Sequence, residues 1–91
     1  MYPTIDSLVQ ANRAAGQHFF DASTMRFFNS RVCRKIIGNY FVTSERFDAS
    51  TPRRYTIRRI NDDGHVETVG EFQKFATSRE AYRAIRALAE G

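Results

Sequence analysis

The stretch Arg53-Arg54-Tyr55-Thr56-Ile57-Arg58-Arg59-Ile60-Asn61-Asp62-Asp63-Gly64-His65-Val66-Glu67-Thr68-Val69 decides the fold. Residues 53–60 read as a strand, with Tyr55 and Ile57 on one side and Arg54, Thr56, Arg58 and Ile60 on the other. Asn61-Asp62-Asp63-Gly64 has turn chemistry, with glycine where a tight hairpin turn needs positive φ. A returning strand over residues 65–75 completes a β-hairpin. Val66 and Val69 differ in parity and Gly70 stands beside the switch, so the returning strand is expected to carry a bulge there.

Working outward, residues 48–52 (Asp-Ala-Ser-Thr-Pro) are a loop. Before it, residues 39–47 are rich in β-branched and aromatic side chains and form a further strand. After the hairpin, Thr77-Ser78-Arg79-Glu80 spells a capping box, and Tyr82, Ile85, Leu88 and Ala89 make the apolar stripe of a closing helix. At the start, Thr4 or Asp6 caps a helix whose inner face is Ile5, Leu8, Val9 and Asn12, and Gly16 stops it. Asp21 is positioned to cap a second short helix that ends near Asn29 or Ser30. Residues 31–35, three of them basic, are a loop or a short edge strand.

The order α-α-β-β-β-α predicts a single α+β domain over residues 1–91. Its expected architecture is a three-stranded antiparallel sheet with helices packed on one face. The other face would be uncovered and would present Arg54, Thr56 and Arg58, flanked by Arg46 or Arg59. The competing reading pairs those arginines with Glu45, Glu67 and Glu71 across the sheet.

Charge gives that face its interest. The chain has 91 residues and a net charge of +4, and twelve of its fourteen basic residues are arginine. A guanidinium binds phosphate or carboxylate through two hydrogen bonds at once and stacks on flat rings, which a lysine ammonium does not do. Arg53-Arg54 and Arg58-Arg59 cluster around one strand, and Arg79, Arg83 and Arg86 fall on one side of the last helix. Such a surface suits a polyanionic or acidic partner, although a solvated helix face has the same look.

Catalysis finds little to work with. One cysteine, Cys33, and two histidines, His18 and His65, do not make a zinc site unless a carboxylate joins them, so no metal and no cofactor are expected. Cys33 has Arg31 and Arg34 in reach, which would favour a reactive thiolate, but it reads better as a small apolar filler. Asp62 and Asp63 read as exposed turn formers. No phosphate loop, nucleophile elbow or metalloprotease signature is present. A binding protein fits better than an enzyme. Among Phe19, Phe20, Phe27 and Phe28 most rings are expected in the core, although exposed ones beside Arg26 and Arg31 would suit unpaired bases or a partner protein. A lone cysteine points to a reducing cytoplasm. No apolar run reaches the ~18 residues of a membrane span, and no secretion signal is visible.

Two resemblances add to this reading. Tyr55-Thr56-Ile57-Arg58, Asp62-Asp63-Gly64, Phe72 to Phe75, Thr77-Ser78-Arg79-Glu80-Ala81 and the helix that follows resemble the arm-type DNA-binding domain of phage integrases. That resemblance implies a sheet laid in a DNA major groove through Arg54, Thr56 and Arg58. Over the whole chain, His18-Phe19-Phe20, Met25-Arg26-Phe27-Phe28, residues 40–45 and residues 68–73 are similar to small proteins of tailed phages and prophages. This implies an accessory protein that works stoichiometrically, such as an anti-CRISPR-type inhibitor of a host nucleic acid-handling complex, in the host cytoplasm. Its expected partner surface is Arg53, Arg54, Thr56, Arg58, Arg59, Arg46, Arg79 and Arg83, in a monomer or homodimer. Direct binding of duplex DNA through the sheet is the alternative, and a self-assembling structural protein the third reading.

Overall fold

The computed structural model describes residues 2–27 and 29–90. Helix α1 (Ile5–Ala14) and helix α2 (Ala22–Phe27) precede strands β1 (Arg31–Val32), β2 (Tyr40–Glu45), β3 (Arg54–Ile60) and β4 (Val66–Val69), and helix α3 (Ser78–Glu90) closes the chain. The sheet is antiparallel with strand order β1-β2-β3-β4, so the fold is α+β with four strands rather than three. The extra strand is β1, where Arg31 and Val32 pair with Ser44 and Thr43. Two residues are too few to display the alternation that marks a strand in sequence.

The helix ends follow from their caps. Thr4 Oγ1 accepts a hydrogen bond from Ser7 N–H, Ser7 Oγ accepts one from Thr4 N–H, and α1 starts there. Gly16 lies just past its end at φ 79°. Before α3, Thr77 Oγ1 accepts from Glu80 N–H, and the Glu80 carboxylate reaches back to Ala76 N–H rather than to Thr77. The expected bulge at Gly70 is larger than one residue. β4 leaves the ladder after Val69, and the chain rejoins β3 only at Phe75, opposite Tyr55. Residues 70–74 therefore stand against the single residue Thr56. Positive φ at Gly70 and Gln73 turns this excursion out and back.

Helices cover both faces, which corrects the expectation of one covered and one open face. On one side Ala81 and Ile85 of α3 bury Val42 and Ile57, with Tyr55, Val69, Phe75 and Tyr82 around them. On the other side Leu8 of α1 is fully buried with Phe41 and Ile60, and Phe19 and Phe20 pack beside it. The three phenylalanine rings interlock, Phe19 edge-on to Phe20 at 4.9 Å and to Phe41 at 6.3 Å. Each such buried side chain contributes about 1.5–3 kcal/mol of transfer free energy. The small helix α1 holds its place through the hairpin tip. The amide of Asn12 donates to the Gly64 carbonyl at 2.8 Å and its oxygen accepts from Phe19 N–H at 3.3 Å. Asn12 sits on the apolar stripe of α1 because these two backbone groups satisfy it there. Gly64 is required on two counts: its φ is 89°, and a Cβ would collide with the Ala11 carbonyl.

Candidate functional site

The face expected to be open is the most polar part of the interior. Glu45 and Thr56 are fully buried. Thr56 Oγ1 donates to Glu45 Oε1 and accepts from Gln73 N–H, both at 2.8 Å. Arg58 donates from Nε to Thr43 Oγ1 at 3.0 Å, from one terminal nitrogen to Thr68 Oγ1, and from the other to Glu45 Oε2 at 3.4 Å. Its guanidinium lies 5.2 Å from the centroid of Phe19 and 5.5 Å from that of Phe72, so the charge is stacked as well as paired. Only 11% of the Arg58 side chain is exposed. Burial lowers its pKa, and Glu45 opposes that shift. Thr56 and Arg58 therefore serve the interior, which corrects the expected sheet-face contact surface.

The remaining strand arginines divide. Arg54 donates to the Gln73 and Lys74 carbonyls at 3.0 and 2.8 Å and so holds the 70–74 excursion against the sheet. Arg59 pairs with Glu67 across the strands, as the competing reading of the sequence had it. Arg79, Arg83 and Arg86 are exposed on α3. His18 and His65 each bond an aspartate, Asp21 and Asp63, at 2.9 Å. Burial raises the pKa of Cys33, which packs in the apolar layer under α3 and is thus a filler rather than an activated thiol. Among the described residues no three His, Cys, Asp or Glu side chains lie together as metal ligands would, and no helix is long and apolar enough to cross a membrane.

What the fold does assemble is a basic cleft at one end of the sheet. The register explains it. Arg31 pairs with Ser44, and Ser44 pairs with Tyr55. Arg46, two residues past Ser44, and Arg53, two before Tyr55, fall on the same side as Arg31 by strand alternation. Helix α2 brings Arg26 to them. Arg26, Arg31, Arg46 and Arg53, with Ala22, Met25, Asn29 and Ser30, line a cleft of about 360 Å³. No carboxylate lines it. Arg53 is fixed in place, because one terminal nitrogen donates to the Ser44 carbonyl at 3.0 Å and to Ser44 Oγ at 2.9 Å. Burial lowers the pKa of Arg53, and the neighbouring Arg31 and Arg46 charges lower it further. Arg46 Nε is buried with no hydrogen-bond partner, alone in this among side-chain nitrogens and oxygens of the described residues. Asn29, at φ 51°, donates its amide to the Arg46 carbonyl at 3.3 Å and turns the chain from α2 into β1, where Arg31 sits.

Two of the eight residues singled out from sequence, Arg46 and Arg53, are in this cleft. Arg26 and Arg31 are the ones that pattern reading did not select. The signal for Arg31 was the basic run at residues 31–35, which became informative only once β1 was seen to pair. Of the aromatic candidates, Phe19 and Phe20 are core and Phe27 is 77% exposed, while Phe28 lies outside the described residues.

Fold and cleft together define a small α+β protein with a four-stranded antiparallel sheet, helices on both faces and an arginine-lined concavity. The chain belongs to a family of unknown function, DUF7447, whose model matches residues 4–86. No curated protein and no solved structure matches it.

Proposed function

We propose that this protein is a non-enzymatic binding protein that acts stoichiometrically on a nucleic acid-handling complex, and that the arginine cleft is its contact. The observation that carries the reading is the gathering of Arg26, Arg31, Arg46 and Arg53 along one cleft whose lining holds no carboxylate, with Glu45 and Asp48 acting on Arg53 and Arg46 from outside it. Within a fold, like charges are brought together against their repulsion, and an anionic partner offsets it. Elsewhere on β3 the chain neutralises Arg58 with Glu45 and Arg59 with Glu67, and ties Arg54 to two backbone carbonyls. The cleft is left charged.

The finer reading follows the resemblance to phage and prophage proteins: an accessory inhibitor that occupies a host defence or nucleic acid-processing machine of the anti-CRISPR type, in the host cytoplasm. Duplex binding through the sheet face is disfavoured by the interior positions of Thr56 and Arg58. The test is affinity capture from host lysate, treated and not treated with nuclease, with wild type and an Arg26→Ala/Arg31→Ala variant as baits. A nucleic acid-handling complex retained by wild type and lost by the variant supports the proposal. Equal retention by both baits overturns the cleft as the contact.

A further inference from the structure

Resting on that reading of the cleft, we infer that its ligand is a phosphate monoester, presented as the terminal phosphate of a nucleic acid strand. Three features argue for this anion. First is the count of donors. A planar carboxylate is satisfied by one or two guanidinium forks, whereas a phosphate monoester carries about −1.5 to −2 charges and three acceptor oxygens. Four arginines around one concavity match the second.

Second is preorganisation. Arg53 is held by Ser44 through two hydrogen bonds, so its remaining N–H groups are set before any ligand arrives. Third is shape. Internal phosphodiesters are single charges spaced along a line and call for a track of cations. Here the cations gather at a single open, shallow cleft with α2 along one side rather than forming a track. Such an arrangement takes the end of a strand better than its middle. The exposed arginines of α3, Arg79, Arg83 and Arg86, run along one helix side and suit the diffuse contact instead.

The test uses the full chain and short labelled single strands of one sequence, ending in a 5′-phosphate, a 3′-phosphate or hydroxyls only, followed by fluorescence anisotropy near physiological salt. One phosphate-ended strand should bind about 10- to 100-fold more tightly than the hydroxyl-ended one. Arg26→Ala/Arg31→Ala should erase that preference, and Arg79→Ala/Arg83→Ala should keep it. Both pairs are exposed, and circular dichroism checks that each variant folds. Equal binding of all three strands, or none, overturns the inference. So does a phosphotyrosyl peptide that competes better than the phosphate-ended strand. If the preference is absent while the cleft variant still loses its complex from lysate, the proposed function survives without this ligand. If the variant keeps its complex, the functional reading itself has failed.

Discussion

Glu45 is where the physics of single residues is plainest. A fully buried carboxylate persists because Thr56 and Arg58 supply its hydrogen bonds and charge. Removing one partner strands the other, so Arg58→Ala or Glu45→Ala should cost about 3–5 kcal/mol in urea unfolding. Replacing both, as Glu45→Leu with Arg58→Met, should cost much less than the two single changes added. Gly64 gives a second case. With φ at 89° and the Ala11 carbonyl in the way, Gly64→Ala should lower stability by at least about 1 kcal/mol, read by the same unfolding curves. The sequence displayed the glycine's turn role but not its second constraint, because the contact with α1 joins residues far apart in the chain. Arg58 was likewise visible as a cluster member. Its burial was not, since alternation says only which residues share a face and nothing about what covers that face.

At the level of elements, the hairpin, the strand before it and α3 were all legible, each announced by a local signal: the Asn61–Gly64 turn, the β-branched run and the Thr77–Glu80 box. Local signals have local energies. Thr77→Ala should destabilise by about 1 kcal/mol, with faster amide exchange confined to the first turn of α3. The elements that local signals left open or misjudged in extent were those defined by pairing, β1 reading in sequence as either a loop or a short edge strand. β1 exists through two residues against β2, and β4 ends early because the chain turns out of the ladder at Gly70 and residues 70–74 are then held against the sheet by Arg54 and by Gln73 N–H on Thr56. The cleft inherits this difficulty. Arg46 and Arg53 were read from the sequence as neighbours of a strand, whereas Arg31 joins them only through the β1–β2 register and Arg26 only through α2.

For the molecule as a whole, the balance of paired and unpaired arginine sets what solution anions do. An anion that binds only the folded state stabilises it by mass action, about 2.7 kcal/mol at a hundred times its Kd. Inorganic phosphate should therefore raise Tm more than chloride at matched ionic strength, and the Arg26→Ala/Arg31→Ala variant should show no such difference. The variant itself should unfold no more easily than wild type in chloride, because it relieves repulsion around Arg53 rather than breaking a bond. A loss of stability in the variant would mean that the cleft arginines are structural.

The 70–74 excursion bears on how molecules of this protein treat one another at high concentration. A sheet edge is a template for a neighbouring strand, and its hazard grows with the length of flat backbone on offer. Here one edge runs for two residues and the other for four before Gly70 turns the chain away. The same detour that carries Phe72 to the Arg58 stack thus acts as a gatekeeper. Shortening it to a straight strand would leave the interior charge without its cover and, at the same stroke, hand the protein a continuous edge on which to aggregate.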